Sequence, residues 1–194
     1  VNEREIWILP NVNPDGDAHT HAHITTGTAE AKFGMDRDVV EEVLSQPDHY
    51  PNALLDGLHL HIGSQITEVE PYGEAIKRVL PIYDKYRSDK VPLSHIDIGG
   101  GFGINYSGSD AKAADDFAAG IKPLVRETKA QLVLEPGRFI VGNAGIFLTT
   151  VTYVKQTSQK RFVIVDGGMN DLIRPALYDS VHAIWPVKAD AGPP

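Results

Sequence analysis

Three short segments carry side chains and turns that could do chemistry together. Leu58-His59-Leu60-His61-Ile62-Gly63-Ser64-Gln65 ends an apolar run with an imidazole, a glycine and a hydroxyl. Ile96-Asp97-Ile98-Gly99-Gly100-Gly101-Phe102-Gly103 ends another with three glycines, and Gln131-Leu132-Val133-Leu134 leads into Glu135-Pro136-Gly137-Arg138. An imidazole at a strand end can stack on an aromatic ring. Consecutive glycines let backbone amides approach an anion such as phosphate, although they serve a tight strand-to-helix turn equally well. A carboxylate at the inner end of an apolar strand must meet a cation or a proton donor. Glu135 then either pairs with Arg138 structurally or bonds a protonated ring nitrogen, leaving Arg138 to hold an anion. Taken together, the three segments suit a phosphorylated, nitrogenous ligand. The spacing Gly-x-Gly-x-x-Gly is absent, so the glycines are no dinucleotide fingerprint.

The histidines allow another reading. His19, His21 and His23 alternate, as do His59 and His61, so each set shares one face of an extended segment. Neutral imidazoles at strand ends are good ligands, and a metal-dependent barrel hydrolase would use them. The bland reading for His19, His21 and His23 is polar loop residues.

The elements that must position these groups alternate strand and helix. Strands are expected at Ile6 to Leu9, Leu55 to Ile62, Leu93 to Ile98 and Gln131 to Glu135. Helices are expected from Asp36 to just before Pro47, from Pro71 to Tyr86 and from Ala111 to Thr128. Their apolar stripes are Val39, Val40, Val43 and Leu44; Ile76, Val79, Leu80 and Tyr83; and Phe117, Ile121, Leu124 and Val125. Pro81 is the weak point of the second helix. Steps of nearly constant length favour an α/β fold with parallel strands, in a closed barrel or an open sheet. After Arg138 the pattern changes: Ile146 to Val154 and Arg161 to Val165 read as a hairpin around Lys155 to Lys160. The expected division is 1–144 for the barrel part and 145–194 for the beginning of an antiparallel β domain.

The 194 residues carry 26 acidic groups against 18 Lys and Arg, a formal charge of -8. With no compensating basic run, nucleic acid is not an expected partner. The chain has no cysteine, which excludes disulfides and thiolate metal sites and suits a cytoplasmic setting. No apolar stretch reaches the length of a membrane span. A start at Val1 and an end at Pro194 suggest an excised fragment.

The segments His61 to Gln65, Asp97 to Gly103, Glu135 to Arg138 and Arg174-Pro175-Ala176-Leu177-Tyr178, in this order, resemble the diaminopimelate decarboxylases, pyridoxal-phosphate enzymes of the alanine-racemase-like fold group. Ala18-His19-Thr20-His21 through Thr26-Gly27, with Lys32-Phe33-Gly34, resembles them more than their ornithine- or arginine-specific relatives. The resemblance covers nearly the whole chain and implies a partial (β/α) TIM-type barrel followed by the start of an antiparallel β domain. It implies that His61 stacks on the pyridine ring and Glu135 pairs with its nitrogen. Ser64, Gly99, Gly100, Gly101, Pro136, Gly137 and Arg138 would hold the pyridoxal 5'-phosphate. Arg138, Arg174 and Tyr178 would contact a small diamino dicarboxylic acid.

Departures from the family pattern bear on activity. The Lys-Ala-Asn strand that carries the cofactor-attaching lysine has no counterpart here, and Lys32 lies in a different context. The late Cys-Glu-x-x-Asp segment is also absent, and Asn11 stands where the family usually has Arg. The chain thus resembles the middle of an enzyme that is a homodimer when intact, and alone it should be inactive. A non-catalytic pyridoxal-phosphate-binding barrel protein is the other cofactor-based reading. Elemental analysis beside a 330–450 nm spectrum separates the cofactor readings from the metal one.

Overall fold

A computed structural model describes residues 6–14, 32–106 and 111–188. His19, His21 and His23 lie outside the described residues, as does the segment through Thr26 and Gly27. The described chain forms two compact units, residues up to 104 with 111–142, and 105–106 with 143–188.

The first unit runs β1 (Ile6–Ile8), α1 (Arg37–Ser45), β2 (Ala53–Leu55), β3 (Gly57–His59), α2 (Glu70–Tyr86), β4 (His95–Asp97), α3 (Ala114–Arg126), β5 (Gln131–Val133) and α4 (Gly137–Val141). Every strand pair in it is parallel: β1 with β2, and β3-β4-β5 in that order. The single strand expected from Leu55 to Ile62 is divided at Asp56, because the chain changes partner there. The Asp56 N–H donates to the Ile8 carbonyl (3.1 Å), whereas its carbonyl accepts from Ser94 (2.7 Å) and His95 (3.1 Å). Its buried carboxylate accepts from the Ser94 hydroxyl at 2.7 Å and pairs with His95 Nδ1. Beyond the regular strands the ladder continues through Leu60 N–H to Asp97 O (2.8 Å) and Glu135 N–H to Gly99 O (2.8 Å).

Helical spacing predicts most of what is buried. α2 turns Tyr72, Ile76, Val79 and Tyr83 inward and keeps Pro81 on its exposed side, where a carbonyl deprived of its N–H partner can meet water. In α1, Val40 and Leu44 are buried but Val39 is exposed, since the stripe through 40, 43 and 44 leaves position 39 to one side. α3 begins at Ala114, three residues later than expected, where the Asp116 carboxylate accepts from the Ala113 N–H at 2.9 Å. An aromatic cluster fastens the site-bearing loops to these helices. Phe102, just after the glycines, stacks on Tyr72 at 4.8 Å, and Phe117 meets both rings edge-on. Phe139, next to Arg138, meets Phe102 at 6.0 Å.

The second unit contains the antiparallel pair β6 (Val151–Gln156) and β7 (Arg161–Val165), followed by α5 (Arg174–Tyr178). The hairpin is tighter than expected. Thr157 Oγ1 accepts from the Lys160 N–H (2.9 Å), and Asp166 closes the other end through Thr150 (2.8 Å). This shifts the first strand to 151–156, because β7 offers only five residues to pair with. Among the described residues no helix is long and apolar enough to cross a membrane.

Candidate active site

Parallel register brings three of the expected segments to one edge. His59 aligns with Asp97, and Asp97 with Val133, so His61, Gly99 and Glu135 emerge together past the ends of β3, β4 and β5. Gly100 donates its N–H to His61 Nδ1 at 3.3 Å, so this nitrogen acts as acceptor and, in the neutral ring, the proton sits on Nε2. Burial pushes the His61 pKa below the ordinary 6.5, and the neighbouring His59 adds to this, opposed by the charges of Glu135 and Asp97. A neutral, half-buried imidazole with one nitrogen anchored is a fixed, flat surface.

The glycines answer first to packing. A Cβ on Gly100 would lie 2.1 Å from the Glu135 carbonyl oxygen, and one on Gly101 (φ 86°) would lie 2.0 Å from that of Gly63. The Gly99 N–H donates to Asp97 Oδ1 at 2.8 Å and the Tyr72 hydroxyl to Gly100 O at 2.8 Å. Two of the three amides expected at an anion are thus engaged within the protein.

Of the two readings of Glu135, the structural pair with Arg138 is not what the geometry shows, and the carboxylate is not buried. Its side chain is 56% exposed, and its neighbour is His59, whose Nε2 lies 3.8 Å from Oε2. That nitrogen is buried and, among the described residues, has no hydrogen-bond partner. Arg138 turns elsewhere, donating to Gln65 Oε1 at 2.9 Å and Ser64 Oγ at 3.0 Å. Both partners are neutral, so among the described residues the guanidinium is ordered without its charge being offset. Pro136 precedes α4, the Gly137 N–H donates to the Glu135 carbonyl (2.8 Å), and the space beside Gly137 Cα is open.

Sequence reasoning missed Gln65 and the neighbour of Glu135. Gln65 has a φ of 60°, a left-handed conformation that costs a non-glycine residue about 1–2 kcal/mol. The alternating histidines were the only signal for His59. A ring nitrogen of His59 and carboxylate oxygens of Asp97 and Glu135 lie within 4.8 Å of one another, but His61 is not part of that group. The metal reading of the His59 and His61 pair therefore finds one of the two, and Asp97 already accepts from Gly99.

In the second unit, the Arg174 guanidinium lies over the rings of Tyr178 (5.1 Å) and Tyr106 (5.9 Å) and donates to Ser180 Oγ at 3.3 Å. Arg174 Nε is buried and, among the described residues, has no hydrogen-bond partner. Two aromatic faces hold this cation in place.

A family described as pyridoxal-dependent decarboxylase, pyridoxal binding domain, matches residues 2–142. The chain belongs to the pyridoxal-dependent decarboxylases. It is 43% identical over 182 residues to the diaminopimelate decarboxylase of Aquifex aeolicus (strain VF5), covering 93% of this chain and 43% of that protein. To the diaminopimelate decarboxylase of Archaeoglobus fulgidus it is 42% identical, covering 98% of this chain and 47% of that one. The crystal structure of the Helicobacter pylori diaminopimelate decarboxylase complexed with L-lysine superposes with a TM-score of 0.91 at 36% identity, over 97% of this chain and 47% of that one. The chain therefore spans under half the length of these relatives. The parallel strand-helix succession of the first unit is that of the family's barrel, and the antiparallel hairpin follows it.

Pyridoxal phosphate is the cofactor of these decarboxylases, and the donor set fits it. A neutral imidazole face, a half-exposed carboxylate beside an orphaned buried nitrogen, and an uncompensated guanidinium with a hydroxyl match a ring, a ring N–H and a phosphate respectively.

Proposed function

We propose that the protein carrying this chain decarboxylates meso-2,6-diaminopimelate to L-lysine and carbon dioxide. Residues 1–144 would contribute part of the barrel and 145–194 open the β domain. The observation that carries the reading is the convergence of His61, the Gly99–Gly101 turn and Glu135 on three successive strand ends. The substrate is inferred from the relatives named diaminopimelate decarboxylase and from the lysine in the Helicobacter pylori structure.

Bound pyridoxal phosphate supplies a ring that accepts the electron pair left when carbon dioxide departs. Glu135 would hold a proton at the ring nitrogen and His61 would offer its face to the ring. Ser64, Gly99, Gly100, Gly101, Pro136, Gly137 and Arg138 would hold the phosphate. Arg138 would meet a carboxylate of the substrate, and Arg174 and Tyr178 of the second unit match the family positions that contact substrate, as a cation and a hydroxyl.

Kinetics of two variants in the complete enzyme test this assignment. Glu135→Gln keeps shape but removes the charge that retains the ring proton, so kcat falls at saturating substrate while cofactor binding survives. Arg174→Ala removes a charge-assisted contact worth about 1.5–3 kcal/mol, so KM rises roughly ten- to hundredfold. Discrimination against monocarboxylic diamines weakens with it. Near-normal kcat in the first variant contradicts the role of Glu135, and an unchanged KM in the second removes Arg174 from the substrate site.

A further inference from the structure

Gln65 is bonded more heavily than a loop residue needs to be. Its Nε2 donates to the Ile104 carbonyl at 2.6 Å, while its Oε1 accepts from the Ile104 N–H at 3.3 Å and from Arg138 at 2.9 Å. The two-point pairing with a buried backbone fixes which end of the amide faces Arg138. The residue reaches this pose in a left-handed conformation that glycine would adopt without strain. Side-chain bonds are what glycine could not supply. A carboxylate at the same position would still accept from Arg138 but would cancel its charge, and it could not donate to the Ile104 carbonyl. The neutral amide anchors and does not cancel; among the described residues the Arg138 guanidinium donates only to it and to the Ser64 hydroxyl.

We propose that Gln65 is a positioning residue that presents Arg138 as an ordered, uncompensated cation to an oxyanion, either the phosphate of the cofactor or a carboxylate of the substrate. The proposal rests on the reading of Arg138 as an anion-binding residue and adds what sets its strength.

The test is made on the complete chain without cofactor, titrated separately with inorganic phosphate and with succinate while the Arg138 Nε–H resonance is followed by NMR. In the wild type the resonance is resolved and shifts saturably. A response to phosphate alone assigns the cofactor's phosphate as the source, a response to succinate alone assigns a substrate carboxylate, and either supports the proposal. In Gln65→Glu the Arg138 resonance stays resolved but the apparent Kd rises tenfold or more. Gln65→Met removes every side-chain hydrogen bond at similar length, so the Arg138 resonance collapses toward the position of an unstructured arginine and binding weakens. Affinity within twofold of wild type in Gln65→Glu, or a wild-type Arg138 resonance in Gln65→Met, overturns the proposal. Arg138→Met separates the two levels. Unchanged anion affinity in that variant defeats the anion-site reading itself, whereas loss there with none in Gln65→Glu defeats only the role of Gln65.

Discussion

The two units use the same kinds of residue and treat them differently. In the first, Leu58, Leu60, Ile96 and Ile98 along β3 and β4 are buried, because α2 and α3 and the flanking strands enclose them. In the second, Tyr153, Val154, Phe162, Val163 and Ile164 are exposed on both faces of a two-stranded ribbon. An isolated hairpin is marginal in water, and apolar strand faces of this extent attract other chains. Apolar alternation therefore declares what a segment needs, and only the presence of neighbours decides whether the need is met. Around β3 and β4 the first unit meets it with its own helices, whereas Ile6 and Trp7 of β1 stay exposed, as the whole hairpin of the second unit does among the described residues.

Glycine substitutions should break the symmetry between the units most sharply. Gly101→Ala places a Cβ 2.0 Å from a backbone oxygen at a positive φ, and should cost the first unit more than about 3 kcal/mol in denaturant unfolding. Gly145→Ala meets open space in the second unit, and its midpoint should stay within about 0.5 kcal/mol of wild type. Equal effects would mean that the two units are equally packed.

Association is the next contrast. Light scattering should find the chain self-associated, and Phe162→Lys with Ile164→Lys should lower the apparent mass without moving the unfolding midpoint of the first unit. A monodisperse wild-type monomer counts against this. A smaller difference is expected between two tyrosines. Tyr72→Phe deletes a buried hydroxyl's bond to Gly100 O and should destabilise by about 1 kcal/mol in thermal unfolding, whereas Tyr153→Phe on the exposed hairpin should leave stability unchanged.

The smallest effect concerns protonation. His61 has a lowered pKa in the folded state, so the unfolded chain takes up its proton first, and this residue's contribution to stability falls as pH drops below about 6.5. Glu135→Gln removes a charge that raises this pKa and should lower it further, as measured by the imidazole carbon-bound proton shifts. An upward movement would show that Glu135 does not face His61.

The strand and helix succession was legible because period-two and helical patterns survive in Leu58 to Ile62, Tyr72 to Tyr83 and Phe117 to Val125. The break at Asp56 was not, since a pattern reports which face is apolar and not which strand lies alongside. The site was visible as three strand ends, but its internal bonding was not. The sequence left open whether Glu135 pairs with Arg138, because proximity along the chain does not say which way a side chain turns; the arginine in fact reaches residues seventy-odd positions earlier. Gln65 offered no signal in composition; its weight lies in a backbone angle.

Each parallel pairing in the first unit joins distant chain segments: Ile6 with Ala53, Gly57 with His95, His95 with Gln131. A ribosome adds roughly 5–20 residues per second, so each nascent strand waits for seconds until its neighbour leaves the exit tunnel. Asp56 stands at the hand-over between the first pairing and the second. Its carboxylate cannot find Ser94 and His95 until about forty more residues have been made, and at the start of that interval α1 is the only described α-helix available to cover the first strand pair.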